Sequence, residues 1–325
     1  MVNFILKDKI EKSKDVLKVA SEMSLYYYNK PLILTYSGGK DSDVIVQLAE
    51  ECLKPSDFEV LNSHTTIDAP ETVYYIRDRF KELEGKGIKT TIQLPRDKDG
   101  NLTSIWKLIE KKQIPPTRFM RYCCADLKEA NTPNRYIATG VRQSESVGRR
   151  GRDVFSVMGK DKKSALHYSL DHIKEVFETS KAKQEGDDRN VDNVWDCTFI
   201  AKAKRNEDLI CNPIYEWTDS EVWEFIEDRK MEHNPLYDKG FTRVGCIGCP
   251  LASNQVKELE MYPKYKANYI LAFDRMMQRR RESGKKDYEK EGTQKWTDGE
   301  SVYKWWINDT SMEGQMSIFD FIKEE

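Results

Sequence analysis

The sequence predicts an α/β protein with a doubly wound, mainly parallel five-stranded sheet and a helical C-terminal extension. Short apolar, β-prone segments alternate with segments of helical periodicity through the first 145 residues. This alternation is typical of a parallel sheet with helices on both faces. Gly38, Asp68 and Gly140 fall at the ends of predicted strands. Because ligands of such sheets bind at the carboxyl ends of the strands, we expect these three positions to contribute to one site.

The predicted elements follow from these patterns in chain order. Residues 5–30 show the apolar periodicity of an amphipathic helix, and Pro70 suits the first position of a helix that continues to Leu83. Thr218 and Glu221 match a capping box, which opens a helix. The remaining predicted strands are at 32–36, 58–62, 89–94 and 135–141, and regular secondary structure is predicted again at 209–215. The remaining predicted helices are at 103–111, 254–283 and 302–307.

Four parts of the chain differ in composition and pattern. Residues 1–145 are predicted to form a nucleotide-binding α/β core, and 207–255 the remainder of that core. Between them, residues 146–206 are polar and lack the alternating pattern, which predicts an insertion or mobile flap. Residues 256–325 are predicted to be a helical C-terminal extension.

The composition limits the class of protein. The 325 residues carry a net charge of -2 and a mean hydropathy of -0.73, so a nucleic-acid site would have to be a local basic patch. No apolar segment reaches membrane-spanning length and the N-terminal residues do not resemble a signal peptide, so we expect a cytoplasmic protein. The seven cysteines therefore predict metal ligands or reactive thiols rather than a disulfide framework.

The most informative segment is SGGKDS at residues 37–42, between a predicted strand and a predicted helix. The amides and dipole of a helix N-terminus favour a phosphate. Gly38 and Gly39 allow the backbone to approach an anion closely, and Lys40 adds a positive charge. An ordinary strand-to-helix turn is the alternative, but the whole string is more specific than a pair of glycines. We therefore predict a phosphate-binding loop.

Four cysteines form two close pairs. Cys123 and Cys124 are adjacent, and Cys246 and Cys249 form a CxxC motif. Four thiolates suit zinc and an iron–sulfur cluster equally well, although adjacent cysteines are easier to place on the separate irons of a cluster. The alternative is a buried CC pair and a separate CxxC redox pair. The remaining cysteines are predicted to be structural: Cys52, Cys197 and Cys211.

Taken in their order, these motifs resemble the phosphoadenosine phosphosulfate (PAPS) reductase family of the PP-loop ATP-pyrophosphatases. The similar segments span about residues 30–145 and 208–255. The resemblance implies an adenine nucleotide alpha-hydrolase-like fold. The segments are SGGKDS at 37–42, IDAPET at 67–72, RYCC at 121–124, TGVRQSES at 139–146 and NPLYDKGFTRVGCIGCP at 234–250.

The resemblance also implies roles for individual residues. Lys40, Asp41 and Arg142 are expected to be catalytic, and Arg149 and Arg150 to face the phosphate or sulfate end of the substrate. The implied cofactors are Mg²⁺ and a [4Fe-4S] cluster, with ATP as the substrate. The implied nucleotide-binding residues are Ser37, Gly38, Gly39, Lys40, Asp41, Ser42, Asp68, Gly140 and Arg142. The implied cluster ligands are Cys123, Cys124, Cys246 and Cys249.

One feature of the family is missing. Assimilatory reductases carry a catalytic cysteine in an ECGxH-type motif near the C-terminus, whereas no cysteine follows Cys249 here. A branch without that motif, the DndC/SspD-like proteins, acts in DNA phosphorothioation. Resemblance to this branch implies that ATP adenylates an oxygen, pyrophosphate leaves and sulfur replaces the oxygen. The implied partners are DNA and a sulfur-donating cysteine desulfurase.

Three functions stay open on the sequence. We favour an ATP-pyrophosphatase that carries a cluster and acts in sulfur transfer. The second is a PAPS or adenosine phosphosulfate (APS) reductase that releases sulfite with a non-standard thiol. The third is a nucleotide-binding component without catalytic activity, in which the cluster is structural.

Overall fold

The structure, a computed structural model, describes residues 4–97, 99–129, 135–145, 149, 153–158, 166–184, 208–285 and 295–308. Two compact units are present, and each contains several segments of the chain. The first comprises Met1–Asn62, Pro70–Gln93 and Thr132–Val244 within the described ranges, and the second comprises Ser63–Ala69, Leu94–Asn131 and Gly245–Glu325.

The described elements are helices and strands in an alternating order, followed by helices. The strands are β1 (Leu32–Thr35), β2 (Phe58–Ser63), β3 (Lys89–Gln93), β4 (Tyr136–Ala138), β5 (Phe155–Met158), β6 (Leu166–Tyr168) and β7 (Asp208–Cys211). The helices are α1 (Phe4–Tyr28), α2 (Lys40–Cys52), α3 (Pro70–Gly85), α4 (Ile105–Lys112), α5 (Tyr122–Cys124), α6 (Leu170–Gln184), α7 (Asp219–Asp228), α8 (Gln255–Met261), α9 (Pro263–Glu282) and α10 (Gly299–Asn308).

The sheet of the first unit has the strand order β3-β2-β1-β4-β7-β5-β6. β1 is parallel to β2 and to β4, and β4 is parallel to β7. The predicted α/β class and mainly parallel sheet are therefore confirmed. Leu34 of β1 pairs with Val60 of β2 and with Ala138 of β4, and all three side chains are buried. The central strand thus lies in the core and ends where the glycine loop begins.

The described sheet has seven strands, whereas the sequence predicts five. The two additional strands, β5 and β6, come from the segment predicted as an insertion or flap. β5 is antiparallel to both β6 and β7, with Phe155 opposite Cys211. Each new strand is only three or four residues long, so neither shows a period that separates it from a loop. The pairing of β5 with β7, and of β6 with β5, is a tertiary contact that local patterns do not reveal.

The helical C-terminal extension is confirmed within the described residues, with one correction. The sequence predicts a continuous helix over 254–283, but α8 ends at Met261 and α9 begins at Pro263. A proline has no backbone N–H to donate and disfavours helical geometry at the residue before it. Tyr262 accordingly has φ -118° and ψ 71°, which ends α8. No helix of the described residues is both long and apolar enough to cross a lipid bilayer.

The core of the second unit is aromatic. Tyr269 and Phe273 of α9 pack against Trp306 of α10, with ring centroids 4.6 and 5.5 Å from that of Trp306. The indole of Trp306 donates to Pro116 O at 2.7 Å. A Cβ at Gly299 would lie 2.2 Å from a backbone oxygen of α9, so a glycine is required where α10 begins. These contacts anchor the helices beside the cysteine segments of the same unit.

Candidate functional site

The glycine loop between β1 and α2 adopts a backbone conformation that requires glycine. Gly38 has φ +72°, and a Cβ at this position would lie 2.9 Å from Ile76 Cγ1 and 3.1 Å from Thr72 Cγ2. α2 begins at Lys40, directly after the loop. The first amides of a helix have no partners within it. The predicted strand–loop–helix arrangement is therefore confirmed, and anion binding there stays a prediction.

We expect Gly38→Ala to lower the free energy of unfolding by about 2–4 kcal/mol. The alanine would have to adopt a left-handed backbone conformation, and its Cβ would overlap with Ile76 and Thr72. Gly87→Ala is the matched control, since Gly87 has φ +81° but nothing within 4 Å of an added Cβ. That control should cost only about 1–2 kcal/mol. Urea unfolding of both variants measures the difference. Equal losses would contradict the contact with Ile76 and Thr72.

Two side chains of the segment 234–237 hold the loop. The fully buried amide of Asn234 donates to Gly38 O at 2.9 Å and to Thr72 Oγ1 at 3.1 Å. The hydroxyl of Tyr237 accepts the backbone N–H of Lys40 at 3.0 Å. Buried polar groups that lose a partner are costly. This segment therefore positions both sides of the turn.

The hydroxyls that the sequence places in the loop bind within it. Ser42 Oγ donates to Gly39 O at 2.7 Å and lies 3.4 Å from Ser37 Oγ. Ser42 is buried, whereas Ser37 is exposed. The structure thus brings all the predicted loop residues together, with Ser37 as the hydroxyl that solvent reaches.

Two buried cations and two carboxylates meet beside the loop. Lys40 Nζ lies 3.0 Å from Asp219 Oδ1 and 3.7 Å from Asp41 Oδ2. Arg142 Nε lies 2.7 Å from Asp41 Oδ1, and its Nη2 lies 2.9 Å from the same Oδ1 of Asp219. Burial would raise the pKa of Asp219, but the hydrogen bond from Lys40 and the charges of Lys40 and Arg142 lower it. The three predicted catalytic residues, Lys40, Asp41 and Arg142, are therefore neighbours. Asp219, which was not among them, contacts both cations.

The other predicted phosphate-binding residues of the first unit lie around this group or beyond the described ranges. A Cβ on Gly140 would lie 3.0 Å from Asp41 Cβ, so a glycine allows β4 to approach the loop. Arg149 forms an ion pair with Glu145 and accepts the hydroxyl of Tyr215 on its backbone oxygen at 3.0 Å. Arg150 lies outside the described residues. The predicted role of both arginines stays a prediction.

Asp43, in the first turn of α2, is a buried acid beneath the loop. Tyr36 donates a hydrogen bond to its Oδ1. Burial raises the pKa of Asp43 to about 7, although hydrogen bonds from Tyr36 and Tyr75 and the charge of Arg79 lower it. The folded protein therefore holds a proton here that the unfolded chain releases near pH 4.

This proton predicts a pH-dependent stability. The contribution of Asp43 is fully present below the unfolded pKa and is lost as the pH rises through about 7. We expect the free energy of unfolding to fall relative to Asp43→Asn by up to about 1.4 kcal/mol per pH unit between pH 5 and 7. Urea unfolding at pH 5, 6, 7 and 8 measures this. The exposed Asp78→Asn is the control, and parallel curves for wild type and Asp43→Asn would contradict the assignment.

The CxxC segment of the second unit is a tightly bonded turn. Gly248 has φ +70°, and a Cβ there would lie 3.0 Å from Leu259 Cδ2. Its N–H donates to Glu258 Oε2 at 3.1 Å, and Ile247 N donates to Ile67 O at 2.8 Å. Such bonding fixes the backbone that carries Cys246 and Cys249, the two cysteines on either side of this turn.

The adjacent cysteines of the second unit interact with each other and with the CxxC pair. The hydrogen bond between Cys123 and Cys124 lowers the pKa of Cys124, to which Arg121 Nη2 also donates at 3.6 Å. The pKa of Cys123 is raised, first by that hydrogen bond and then by burial and the charges of Cys124, Cys246 and Cys249. All four are free and half-buried. The structure therefore brings the four predicted thiols into one electrostatic environment.

Asp68 belongs to this second unit. Its Oδ2 accepts the N–H of Thr65 at 2.8 Å and lies 3.2 Å from His64 Nδ1. Burial would raise its pKa, but His64, the charge of Lys128 and the Thr65 amide lower it. Cys246 lies opposite Asp68 in a β-bridge, and its thiol contacts Thr65 Oγ1 at 3.5 Å. The structure thus places Asp68 beside the cysteines, and its predicted contact with a nucleotide stays a prediction.

The donor set of the second unit suits a soft metal centre in its chemistry. Four thiols of one unit interact, and Arg121 and Lys128 supply positive charge that favours thiolates. Within the described ranges, however, no three His, Cys, Asp or Glu side chains lie where they could hold one metal ion. The thiol chemistry fits an iron–sulfur cluster, because each iron of a cluster binds its own cysteine.

Some residues of the loop site were not predicted as site residues. Asp219 lies between Thr218 and Glu221, whose capping box predicts only a helix start, although its carboxylate bridges Lys40 and Arg142. Asn234 and Tyr237 lie in the NPLYDKGF segment, whose family resemblance was the available signal. Asp43, which directly follows SGGKDS, had no distinguishing pattern.

The strand order, with the glycine loop between β1 and α2, defines an α/β protein with a mainly parallel sheet. The family model of the phosphoadenosine phosphosulfate reductase domain matches residues 31–252, well over half of the chain. The chain therefore belongs to the PAPS reductase domain family.

Individual relatives match more weakly. An uncharacterized protein of Methanocaldococcus jannaschii, MJ0973, is 25% identical over 271 residues, which are 80% of this chain and 54% of the relative. A second, MJ0066, is 26% identical over 221 residues, 68% of this chain and 36% of the relative. The chain thus spans about half of the first relative and about a third of the second. The APS reductase of Oceanobacillus iheyensis is 39% identical over 51 residues, 16% of this chain and 21% of that protein.

Solved structures show only distant similarity. The PAPS reductase of Candida auris has a TM-score of 0.41 and 14% identity, over 72% of this chain and 88% of that one. The U34-tRNA thiolase NcsA of Methanococcus maripaludis, solved with its [4Fe-4S] cluster, has a TM-score of 0.42 and 16% identity, over 92% and 88% of the two chains.

Proposed function

We propose that this chain is an ATP-pyrophosphatase that carries a [4Fe-4S] cluster and acts in sulfur transfer. The observation that carries the proposal is the pair of buried cations, Lys40 and Arg142, at the start of α2 beside a glycine turn. Buried cations that converge at a helix N-terminus form a site for a polyanion. Family membership supports a nucleotide phosphate as that anion.

The residues of the first unit would act mainly by positioning and by electrostatics. Amides of the loop and the two cations bind the β- and γ-phosphates, the part of ATP that leaves as pyrophosphate. Lys40 and Arg142 stabilise the negative charge that develops on the bridging oxygen as its bond to the α-phosphorus breaks. Asp41 orients Arg142 through the 2.7 Å contact with Nε. When bound with ATP, Mg²⁺ would supply further positive charge that neutralises the phosphates.

Adenylation has a chemical purpose in this scheme. An oxygen bound to phosphorus is a poor leaving group. Attack of that oxygen on the α-phosphorus of ATP transfers AMP to it and releases pyrophosphate, after which the oxygen can leave as part of AMP. A sulfur nucleophile can then displace AMP. We propose a phosphate oxygen of DNA as the acceptor and a cysteine desulfurase as the source of sulfur, on the resemblance to the DndC/SspD-like branch.

The second unit would hold the cluster. Cys123, Cys124, Cys246 and Cys249 are its proposed ligands, supported by their free thiols and their mutual electrostatic interaction. When bound, the cluster would supply a site for sulfur or electron relay. Arg121 would compensate the negative charge of the thiolates through its contact with Cys124.

The decisive experiment is pyrophosphate release from ATP and Mg²⁺ by anaerobically purified protein, with and without DNA. Lys40→Ala is the control. We expect release by the wild type that is lost in the variant. Absence of release under both conditions would contradict the proposal.

A second candidate is reduction of APS or PAPS, favoured by the local similarity to APS reductases over 51 residues. Sulfite release from either sulfonucleotide in the presence of a thiol, without pyrophosphate release from ATP, would support it. Tight, Lys40-dependent ATP binding without turnover in either assay would instead support a non-catalytic nucleotide-binding component.

A further inference from the structure

The loop site of the first unit contains a carboxylate oxygen where a phosphate oxygen would bind. Asp219 Oδ1 lies 3.0 Å from Lys40 Nζ and 2.9 Å from Arg142 Nη2. One oxygen thus accepts from both buried cations. A phosphate oxygen binds such a pair in the same manner, through charge-assisted hydrogen bonds.

The two carboxylates of this group differ in how easily they can leave. The side chain of Asp41 is 23% exposed and lies in the first turn of α2, whereas that of Asp219 is 62% exposed. Asp219 already borders water, so it can rotate away from the cations with less rearrangement of its neighbours than the more enclosed Asp41. Glu145, 3.9 Å from Arg142 Nε, already forms an ion pair with Arg149. Asp219 is thus the displaceable carboxylate of this group.

Charge balance gives this displacement a purpose. Lys40 and Arg142 are almost completely buried, and buried charges without a partner are costly. Asp41 and Asp219 neutralise them in the nucleotide-free protein. Pyrophosphate or a nucleotide phosphate would bring at least two more negative charges next to these carboxylates. Departure of Asp219 relieves that repulsion and frees one donor on each cation.

We infer that Asp219 is a built-in competitor for the phosphate group: it holds Lys40 and Arg142 in position when the loop is empty and is displaced when a phosphate binds. This inference rests on the proposed function, because it assumes that the loop binds phosphates. The competition weakens binding of free pyrophosphate, so Asp219 assists release of the product that would otherwise be held by two buried cations.

The test is binding of inorganic pyrophosphate, measured by calorimetry without nucleotide and with a chelator to remove divalent metal. We expect Asp219→Asn and Asp219→Ala each to bind pyrophosphate about tenfold more tightly than the wild type, which is the effect of removing a competing ligand. Asp228→Asn is the control, because it removes one negative charge from the other end of α7 and should leave the affinity unchanged. Thermal unfolding confirms that each variant is folded.

The outcomes separate this inference from the proposed function. Unchanged or weaker binding in both Asp219 variants, with wild-type binding that Lys40→Ala abolishes, would overturn the competitor role and leave the phosphate loop intact. No pyrophosphate binding by the wild type or either variant would overturn both. A purely structural role, or a role as a metal ligand, would not tighten binding in the absence of metal.

Discussion

We expect Arg142→Lys to lower pyrophosphate release by about 10² to 10³-fold, the usual cost of removing one preorganised donor from a catalytic site. The three nitrogens of the guanidinium have different partners. Nε lies 2.7 Å from Asp41, Nη2 lies 2.9 Å from Asp219, and Nη1 donates to Ser144 Oγ at 3.1 Å. A lysine ammonium is a single point charge that does not reproduce this fork. The substitution keeps the charge and loses the geometry.

The loss should appear mainly in kcat, because the retained charge still attracts the nucleotide. Arg229→Lys is a matched control in the same unit. Arg229 also forms a fork, to Glu51 at 2.8 Å and to Asp228, but at a more exposed position. We expect that control to release pyrophosphate at the wild-type rate. Initial rates over a range of ATP concentrations decide the matter, and an Arg142→Lys rate within about threefold of wild type would contradict the assigned role.

The loop could be predicted from the sequence because its chemistry is local. The backbone conformation of this segment follows mainly from the eleven residues Leu32 to Ser42. They contain a strand, two glycines, a lysine and the start of a helix. The structure adds the reason for the first glycine, since Gly38 combines a positive φ with close contact to Ile76 and Thr72. The local sequence thus predicts the loop, and tertiary packing explains why position 38 accepts no side chain.

Asp219 could not be predicted in the same way. It joins Arg142 across 77 residues of sequence. In its own neighbourhood it is the first residue of a helix, where an acidic side chain is common because it complements the helix dipole. Thr218 and Glu221 account for the whole local pattern as a capping box, which the structure confirms. Only the fold shows that the carboxylate between them reaches two buried cations.

In the sheet, too, the local sequence predicts some strands, whereas others are recognisable only from their tertiary contacts. The first three residues of the core strand β1 are apolar, so the local sequence pattern predicts its position. The strands β5 and β6 are recognisable only through their ladder, in which Phe155 pairs with Tyr168 and with Cys211. Short strands at an edge are stabilised by their partners rather than by their own propensity.

The cysteine pairs carry the second large expected effect. We expect Cys246→Ser to reduce the iron content of anaerobically reconstituted protein from about four per chain to well below one, because a hydroxyl does not ionise to replace a thiolate ligand. Sulfur transfer should be lost with the iron. Lys40-dependent ATP binding should persist, since the loop residues belong to the first unit.

Cys52→Ser is the matched control for this prediction. Cys52 is free and half-buried like the proposed ligands, but it belongs to the first unit, and burial raises its pKa to about 11. It is not one of the four interacting thiols of the second unit and should therefore not contribute to metal binding. We expect this variant to keep the full iron content, as measured together with acid-labile sulfide.

Metal analysis of the wild type also separates the two centres that four thiols can hold. A single tetrahedral zinc with bonds of about 2.3 Å requires all four sulfurs to converge on one point. A cluster distributes them over four irons, which suits an adjacent pair such as Cys123 and Cys124, whose backbones are joined directly. Iron with an equal amount of sulfide would therefore support the proposed centre. One zinc per chain, lost in Cys246→Ser and retained in Cys52→Ser, would instead confirm the ligands and contradict the cluster, leaving the thiols a structural role.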